Sequence, residues 1–522
     1  MREKILTFGF IVMLLVSAVG ITVGGLFEEE VGANELMGDF IELYTWEDLH
    51  NMRDDLTGSY RLMNDLGPED VGYDDYASEN ANDSAGWLPV GEKPGWPVDG
   101  EAFTGNFDGQ NYTIAGLYIN RPSTNYIGLF GFVDGGEVRN VGLVDANVSG
   151  DRRVGGLVGV NVDGTVDNLY ATGTVSGGWG VGGLVGVNHI ESTVKNSYAT
   201  GTVIGDSTYV GGLVGINRGS VSNSYATGNV SGDKFAVGGL VGLNEGGTVS
   251  NSYATGTLNG DRRIGGLVGW NSGTVSNSYA TGDVSGGGWY VGGLVGVNVY
   301  GTVSNSYATG NVSGDWSVGG LVGRNSGTVS NSYATGTVSG GGWYVGGFVG
   351  ENSGTVENSF WDTETSGTTS SDGGTGKTTV EMMSISTFTG AEWDIIVIAY
   401  LDDKNTDYTW NIVDGETYPF LSGREPVDDN VLPMWLLPLI GPIVVVLLVL
   451  LFMKKKKGSS EIIPEAEAKH DKDNDDFRDE ENILDEEKQE KISRLDSAYA
   501  EGKITKDLYK KNKKKILDDM DS

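Results

Sequence analysis

Cysteine is absent from the 522 residues, and histidine occurs only at His50, His189 and His470. Without cysteine the chain cannot form disulfides or carry a lipid on a cysteine, and zinc loses one of its two main ligands. A Ser-His-Asp triad would have to use His50 or His189, and neither lies in a recognisable setting. The composition therefore argues against zinc chemistry and against a serine hydrolase.

Basic residues are also scarce. The chain has 35 lysines and arginines against 71 aspartates and glutamates, a formal net charge of −36. Such a surface repels nucleic acid and keeps a protein soluble by self-repulsion. We therefore expect no nucleic-acid partner.

A repeat fills the middle of the chain. The motif VGGLVG, or a close variant, begins at Val154, Val181, Val210, Val237, Ile264, Val291, Val318 and Val345, with a worn copy at Ile127. The spacing is 27 residues in every case but one, where it is 29. A fixed period of this size is typical of solenoids and propellers.

The period and the residue types together predict the fold. A propeller blade needs roughly 40 residues or more, so 27 is too few. Helical repeats are excluded because each unit is rich in glycine and poor in helix formers. Short strands broken by Gly, Asn and Asp turns remain. We predict an all-β fold, a parallel β-solenoid of about nine coils with rungs ~4.8 Å apart.

Three columns of identical residues should run along such a solenoid. Asparagine tolerates turn conformations and can stack its amide on the copy above, and tyrosine can seal one corner by stacking. The first asparagine column comprises Asn161, Asn188, Asn217, Asn244, Asn271, Asn298, Asn325 and Asn352; the second comprises Asn168, Asn196, Asn223, Asn251, Asn277, Asn305, Asn331 and Asn358; the aromatic column comprises Tyr170, Tyr198, Tyr225, Tyr253, Tyr279, Tyr307, Tyr333 and Phe360.

The ends of the chain predict a membrane topology. Residues 1–33 have a basic start, an apolar run and small residues, the layout of a secretory signal, with cleavage after Ala18 or Ala33 left open and an uncleaved anchor as the alternative. Residues 431–453 are apolar and uncharged, long enough to span a bilayer, and four lysines follow. We predict a single-pass protein of the cell membrane, with residues 34–425 outside and a charged linker, residues 454–490, inside.

Residues 34–120 and 361–425 lack the repeat that fills residues 121–360. The first and last coils of a solenoid have unpaired strand edges, through which molecules would polymerise. We therefore predict that these segments are caps. Thr45 with Asp48, and Thr378 with Glu381, each resemble a capping box that opens a short helix.

The repeat units, for example VGGLVGWNSGTVSNSYATG, resemble the Glug repeat family of bacterial and archaeal surface proteins. The resemblance extends over the flanks, from about residue 40 to 421. It implies a cell-surface, adhesin-like protein, although some large secreted peptidases carry the repeat as an accessory. Residues 491–522 resemble the short helical hairpin called SHOCT, which implies association, and we predict self-association or an inner partner through residues 491–517.

The segment SSDGGTGKTTVEMM contains Gly376, Lys377 and Thr378 and looks like a phosphate-binding loop. That loop requires a glycine five residues before Gly376, and Ser371 stands there. No apolar strand precedes it, and the predicted topology places it outside the cell. We therefore predict no nucleotide binding, no other cofactor and no catalytic residue.

Two further patterns concern ligands and modification. Asp151, Asp206, Asp233, Asp261 and Asp315 each follow a glycine, which predicts turns, with calcium between aligned carboxylates as the alternative although the calcium-binding nonapeptide is absent. We therefore predict no metal site. N-glycosylation sequons begin at Asn82, Asn111, Asn147, Asn229 and Asn311.

The best candidate for ligand binding is the slot before each VGGLVG, where aromatics and arginines recur. Flat aromatic faces suit glycans, and arginine stacks on them or pairs with acidic sugars; the alternative is that these residues only shield a turn. The slot holds Arg152, Arg153, Trp179, Tyr209, Phe235, Arg262, Arg263, Trp289, Tyr290, Trp316, Trp343 and Tyr344.

The sequence thus favours a surface protein that acts in adhesion or envelope structure by binding an extracellular glycan or a surface protein. Two alternatives stay open. The first is a surface enzyme acting on polysaccharide or peptide, which should interrupt the repeat with unmatched acidic or basic residues on adjacent rungs; none interrupts it between Val154 and Asn358. The second is a receptor that signals through its inner hairpin.

Overall fold

The structure is a computed structural model that describes residues 40–93 and 101–423. The predicted signal, membrane span, charged linker and SHOCT-like hairpin lie outside the described residues. Within those two described segments, no helix combines the length and the apolar character needed to cross a bilayer.

The repeats fold as a continuous stack of parallel coils, a parallel β-solenoid. The prediction of about nine coils is confirmed. One side of the stack is a parallel sheet of nine strands, one strand from each coil. In chain order these strands are Phe130–Asp134, Val158–Val162, Val185–Asn188, Val214–Asn217, Val241–Asn244, Val268–Asn271, Val295–Asn298, Val322–Asn325 and Val349–Asn352. Each pairs in register with the same positions of the next repeat, as Val241 does with Val268.

The remaining sides belong to a second, larger sheet, to which each full coil contributes four short segments. The T-V-S column contains Thr193–Lys195, Ser220–Ser222, Thr248–Ser250, Thr274–Ser276, Thr302–Ser304, Thr328–Ser330 and Thr355–Glu357. The Y-A column contains Tyr198–Ala199, Tyr225–Ala226, Tyr253–Ala254, Tyr279–Ala280, Tyr307–Ala308, Tyr333–Ala334 and Phe360–Asp362.

The other two segments flank the turn before VGG. The V-S-G column contains Thr202–Gly205, Val284–Gly286, Val312–Gly314 and Val338–Gly340, and the last column contains Arg152–Gly155, Trp179–Gly182, Thr208–Gly211, Trp289–Gly292, Trp316–Gly319 and Val345–Gly346. Val230–Gly238 and Leu258–Gly265 run through both columns. In the first two coils Glu137–Gly150 and Thr165–Gly177 run unbroken through the T-V-S, Y-A and V-S-G columns.

The paired glycines of VGG are required where each coil turns into the nine-stranded sheet. A Cβ added at Gly238 would lie 1.9 Å from the Val241 carbonyl oxygen, and one added at Gly239 would lie 2.0 Å from the Gly266 carbonyl oxygen. Both distances are too short for any side chain. The glycines therefore let successive rungs approach closely at this corner.

The first asparagine column forms a buried hydrogen-bonded ladder, as the sequence predicts. Nδ2 of each asparagine donates to Oδ1 of the next, from Asn161 to Asn352, over distances of 2.7–3.0 Å. Asn161 Oδ1 is buried without a donor, because the worn first copy has Val133 in that register. The ladder satisfies amides that would otherwise be costly to bury.

The second asparagine column and the tyrosine column also behave as predicted. Asn168 to Asn358 all have φ between 47° and 55°, the left-handed region that asparagine tolerates. Consecutive rings from Tyr170 to Tyr333 stack with centroids 4.7–5.1 Å apart and planes within 6° of parallel. These columns are structural.

Residues before the repeat extend the larger parallel sheet. Ile41–Leu43 pairs with Ser59–Leu62, which pairs with Asn106–Asp108. Asn106–Asp108, Thr113–Ala115 and Tyr118–Arg121 each pair with Glu137–Gly150. Their core contains large aromatics, including the fully buried Trp46, Trp87 and Phe103, which are continuous with the valines and leucines of the repeats. The helices here are Trp46–Asn51, Tyr73–Tyr76 and Ala81–Ser84, with the 3-10 turn Met52–Asp54.

Residues after the repeat form a small unit against the tyrosine column. The strand Thr375–Lys377 adds a rung to Phe360–Asp362, and the helices Thr379–Met382 and Ile385–Thr389 follow. A separate sheet contains Ile395–Val397, Trp410–Ile412 and Phe420–Leu421. Both predicted capping boxes are confirmed, Thr45 with Asp48 and Thr378 with Glu381.

Candidate ligand-binding surface

The predicted slot before VGGLVG separates into two columns, because the two residues of each slot differ in backbone conformation. The second residue is left-handed in most rungs, with φ of 59° at Arg153, 63° at Tyr209, 55° at Arg263 and 64° at Tyr290. The first residue lies on an ordinary strand and pairs in register, Trp179 with Arg152 and Trp289 with Trp316. The two columns therefore have different surroundings.

Residues of both columns cover the outer face of the nine-stranded sheet. Val160, Val187, Ile216 and Leu243 form a small apolar cluster there, separate from the core. The first residue Trp179 and the second residue Tyr209 pack against it, together with Trp270 of the sheet itself. This is a structural arrangement, since it buries apolar side chains that the nine-stranded sheet would otherwise expose.

Arginine side chains also cover the outer face of the nine-stranded sheet, where their guanidinium groups lie over aromatic rings. The Arg153 guanidinium carbon is 5.0 Å from the centroids of both Tyr126 and Trp179. That of Arg263 is 4.9 Å from Phe235 and 4.4 Å from Trp270. These four contacts have the geometry of cation–π pairs. In these two rungs the faces that a sugar ring would stack on are occupied by arginine.

Nearer the carboxyl end of the solenoid, the first residues form a tryptophan column, Trp289, Trp316 and Trp343. The Trp289 and Trp316 rings stack at 4.8 Å and 13°, and Trp316 and Trp343 are 6.2 Å apart and tilted by 44°. Trp316 is buried, whereas Trp289 and Trp343 are partly exposed. Because the rings stack, the column does not expose three separate ring faces. What is accessible to solvent is the edges of the rings and the ring of Trp343.

The remaining predicted slot residues differ in exposure and charge. Arg152 is exposed and lies 4.0 Å from Asp151, and Arg262 lies 3.3 Å from Asp261. Tyr290 is buried, and the Arg324 guanidinium carbon lies 5.4 Å from the centroid of its ring. Tyr344 is 38% exposed. The slot residues therefore change in type along this corner and do not form one uniform surface.

A cluster that the sequence did not reveal lies near the amino end. His50 stacks on Tyr76 with centroids 4.1 Å apart, and the Arg53 guanidinium lies 4.5 Å over Trp87. Burial lowers the pKa of Arg53 to about 10, and burial with the charge of Arg53 lowers the pKa of His50. No sequence motif predicts this cluster, because its members come together only when the short helices fold against Trp87.

The segment resembling a phosphate loop has a structural place. Gly376 and Lys377 belong to the strand that adds the last rung, and Thr378 is the cap of the next helix. Lys377 Nζ lies 3.3 Å from Glu381 Oε1 of that helix. In the two described segments, no group of three or more His, Asp or Glu side chains is gathered as a metal site would require.

All five sequon asparagines, Asn82, Asn111, Asn147, Asn229 and Asn311, are exposed. Asn147 lies within the strand Glu137–Gly150, and Asn229 and Asn311 immediately precede the V-S-G segments of their coils. Asn82 and Asn111 instead lie outside the repeats in left-handed conformation.

Comparison with known proteins identifies the repeat. Seven consecutive segments match the GLUG motif: residues 150–176, 177–204, 206–231, 235–259, 260–285, 287–313 and 314–339. The Glug repeats that the sequence predicts are therefore confirmed. They cover the part of the chain that forms the regular coils.

Two curated relatives share part of the chain. Halomucin of Haloquadratum walsbyi is 39% identical over 120 residues, which is 22% of this chain and 1% of halomucin. A Gly-rich membrane protein of Evansella cellulosilytica is 38% identical over 88 residues, 16% of this chain and 9% of that protein. The chain thus matches only a small fraction of either relative's length.

Solved structures give weaker likenesses. A protein from Bacteroides ovatus assigned as an immunoglobulin A1 protease is 21% identical, with 77% of this chain and 97% of that chain covered at a TM-score of 0.35. An IgA1 protease is 17% identical, with 58% of this chain and 22% of that chain covered at a TM-score of 0.30. Scores this low carry no argument about activity. The chain's place among known proteins therefore rests on its repeat: residues 150–339 are a run of Glug repeats.

Proposed function

We propose that this protein is a cell-surface β-solenoid that acts in adhesion or envelope structure by binding a glycan or a surface protein. The observation that carries the proposal is the unbroken, in-register stack of coils with an aromatic column at one corner. A stack of nine rungs extends about 40 Å. Such a rod presents a repeated surface along its length.

A surface location is supported by the predicted signal and membrane span and by the kind of relative that shares the repeat. One relative is named as a Gly-rich membrane protein and the other as halomucin. The net charge of −36 suits an exterior rich in cations. We propose a single pass, with residues 454–522 inside and residues 491–517 serving self-association.

Protease added to intact cells tests this topology. We expect it to remove the repeats and to leave a small membrane-bound fragment that contains residues 454–522. Antibodies against the repeats and against the tail identify the two products. Repeats recovered from the cytosol would contradict the surface location.

The tryptophan column is the part of the predicted slot that best suits a ligand. Trp343 ends the stack and is partly exposed, and Tyr344 next to it is 38% exposed. An aromatic ring with an open face or edge suits the apolar side of a sugar ring or an apolar protein side chain. The arginine-covered rungs near Trp179 and Phe235 are less suitable, because their rings already contact guanidinium groups.

Screening the detergent-purified chain on an array of glycans and surface proteins would identify the ligand class. We expect a Trp343→Ala variant to lose binding and a Tyr400→Ala variant to keep it, since Tyr400 is exposed but lies outside the repeats. If both variants bind as the unchanged chain does, the ligand contacts another surface.

We propose binding rather than catalysis for the described region. The repeat is not interrupted by unmatched charged residues. Of the aspartates that follow a glycine, Asp151, Asp206 and Asp315 lie in bends, and Asp261 pairs with Arg262. Incubation with polysaccharides and peptides, with product analysis, tests this. Steady turnover by the purified chain that survives mutation of the tryptophan column would favour the alternative, a surface enzyme.

A further inference from the structure

Three of the five sequons lie on one edge of the solenoid. Asn147, Asn229 and Asn311 occupy the same position of the V-S-G column, immediately before the buried valine of each segment. They are 82 residues apart, which is three coils. With rungs ~4.8 Å apart, successive sequons are separated by about 14 Å along the axis.

The carboxamides of two of them are held in one orientation. Asn229 Oδ1 accepts a hydrogen bond from the Thr257 amide at 3.1 Å, and Asn311 Oδ1 accepts one from the Thr337 amide at 3.2 Å. Among the described residues, no atom accepts a hydrogen bond from Nδ2 of either asparagine. Since both side chains are exposed, the nitrogen atom that N-glycosylation modifies faces solvent in both.

The sequons outside the repeats are held differently. Asn82 Nδ2 donates to the Gly86 carbonyl at 2.8 Å, in a short helical turn where Asn82 itself has φ of 51°. Asn111 has φ of 64°, and its Oδ1 accepts from Asn168 at 3.1 Å. In Asn82 the reactive nitrogen is therefore engaged by the protein itself.

A groove adjoins the third sequon on the edge. It has a volume of about 420 Å³, and its lining includes Asn311, Asp283 and a row of hydroxyls from Ser285, Ser313 and Ser339. Small-molecule sites have volumes of ~300–1,000 Å³. A lining of hydroxyls, an amide and one carboxylate offers hydrogen bonds to the hydroxyl groups of a sugar.

We propose that Asn147, Asn229 and Asn311 carry N-linked saccharides, and that the groove beside Asn311 holds the first sugar. Nδ2 of asparagine bonds to C1 of a saccharide donated by a lipid-linked phosphate sugar. The bond between C1 and the phosphate oxygen breaks, the lipid phosphate leaves, and the amide gives up one proton. The result is a sugar-bearing edge with one saccharide every third rung.

The test is peptide mass spectrometry on the full chain purified from the membranes of its native host. We expect a saccharide mass on the peptides that contain Asn147, Asn229 and Asn311, and none on the peptide that contains Asn82. A Ser313→Ala variant keeps Asn311 but lacks the sequon hydroxyl, so the saccharide should disappear from Asn311 and remain on Asn229.

Ser176→Ala is the matched control, because Ser176 holds the same position of the V-S-G column but follows Thr174, belongs to no sequon and lies outside the groove. This variant should keep the saccharide on both asparagines. Circular dichroism confirms that each variant is folded. Unmodified Asn229 and Asn311, or an Asn311 saccharide that survives Ser313→Ala, would overturn the proposal.

Discussion

At the residue scale, identical asparagines have two unrelated tasks in each coil. Asn271 is fully buried, donates to Asn298 at 2.8 Å and accepts from Asn244 at 2.7 Å. Asn251 is exposed and serves a left-handed turn with φ of 49°. The ladder stabilises the stack through hydrogen bonds between side chains, whereas the turn column stabilises it through backbone conformation.

Replacing Asn271 by alanine should lower the free energy of unfolding by about 1–3 kcal/mol, because its buried partners Asn244 and Asn298 each lose a hydrogen bond. Denaturant unfolding measures the change. The control is Asn251→Gly, which should change the free energy little because glycine adopts the left-handed region without strain. Equal losses in the two variants would contradict the buried ladder.

Ionisation of Tyr60 should destabilise the folded protein at alkaline pH. Burial, with the nearby charges of Asp55 and Asp54, raises its pKa from 10.0 to about 12. Its neutral form is therefore favoured in the folded state, so this contribution is complete below pH 10 and is lost as the pH rises through 12. Tyr60→Phe should flatten the decline in melting temperature between these values. A decline as steep as in the unchanged chain would assign the effect to other groups.

At the element scale, the carboxyl-terminal unit covers the side of the solenoid and not only its end. Trp410 is fully buried, with ring centroids 6.0 Å from Tyr307 and 5.9 Å from Tyr333, and the Tyr333 hydroxyl donates to the Pro419 carbonyl at 2.6 Å. Tyr198 and Tyr225, earlier in the same column, remain partly exposed. The column thus both stacks along the rod and receives this unit.

Replacing Trp410 by alanine should cost about 3–5 kcal/mol of local stability, the usual loss for a buried tryptophan. Hydrogen exchange should show residues 385–421 losing protection while the coils from Val154 to Val318 keep theirs. Tyr400→Ala is the control, since Tyr400 is 73% exposed. Loss of protection throughout the solenoid would mean that this unit is required for the fold of the coils.

The sequence predicted the repeated elements well, because the same pattern recurs in each coil and every strand pairs with its own copy. It could not predict which slot residues contact the outer apolar cluster. That depends on the left-handed φ of residues such as Arg153 and Tyr209, which no local motif specifies. The parallel rungs before residue 121 could not be predicted for another reason. Tyr60, Phe107 and Val138 stack at the same position of successive rungs but are three different residue types, so no repeat is visible in the sequence.

At the scale of the whole molecule, every coil contacts chiefly its two neighbours, and the stack is one continuous ladder and one continuous core. Stability is then a sum over units and their interfaces, so the number of units can change without changing the fold. The number of units, not the identity of any one coil, should therefore set the length of the rod.

Deleting residues 264–290, one whole unit, should leave a folded rod that is shorter by one rung, about 4.8 Å. Val291 would then stack on Val237, and Asn298 on Asn244. Solution scattering measures the length. Deleting only residues 264–276 shifts the register and should cause aggregation. Equal tolerance of both deletions would contradict the solenoid.

Binding of a surface ligand through the tryptophan column can be tested by one paired measurement. Trp289 and Trp343, the partly exposed members, are replaced by alanine, and Trp316 between them is kept. Melting temperature and attachment to the ligand-bearing surface are then measured on the same preparation. We expect a modest fall in melting temperature, because both rings are partly buried against Trp316, together with loss of attachment. A variant that melts normally and attaches as well as the unchanged protein would contradict it.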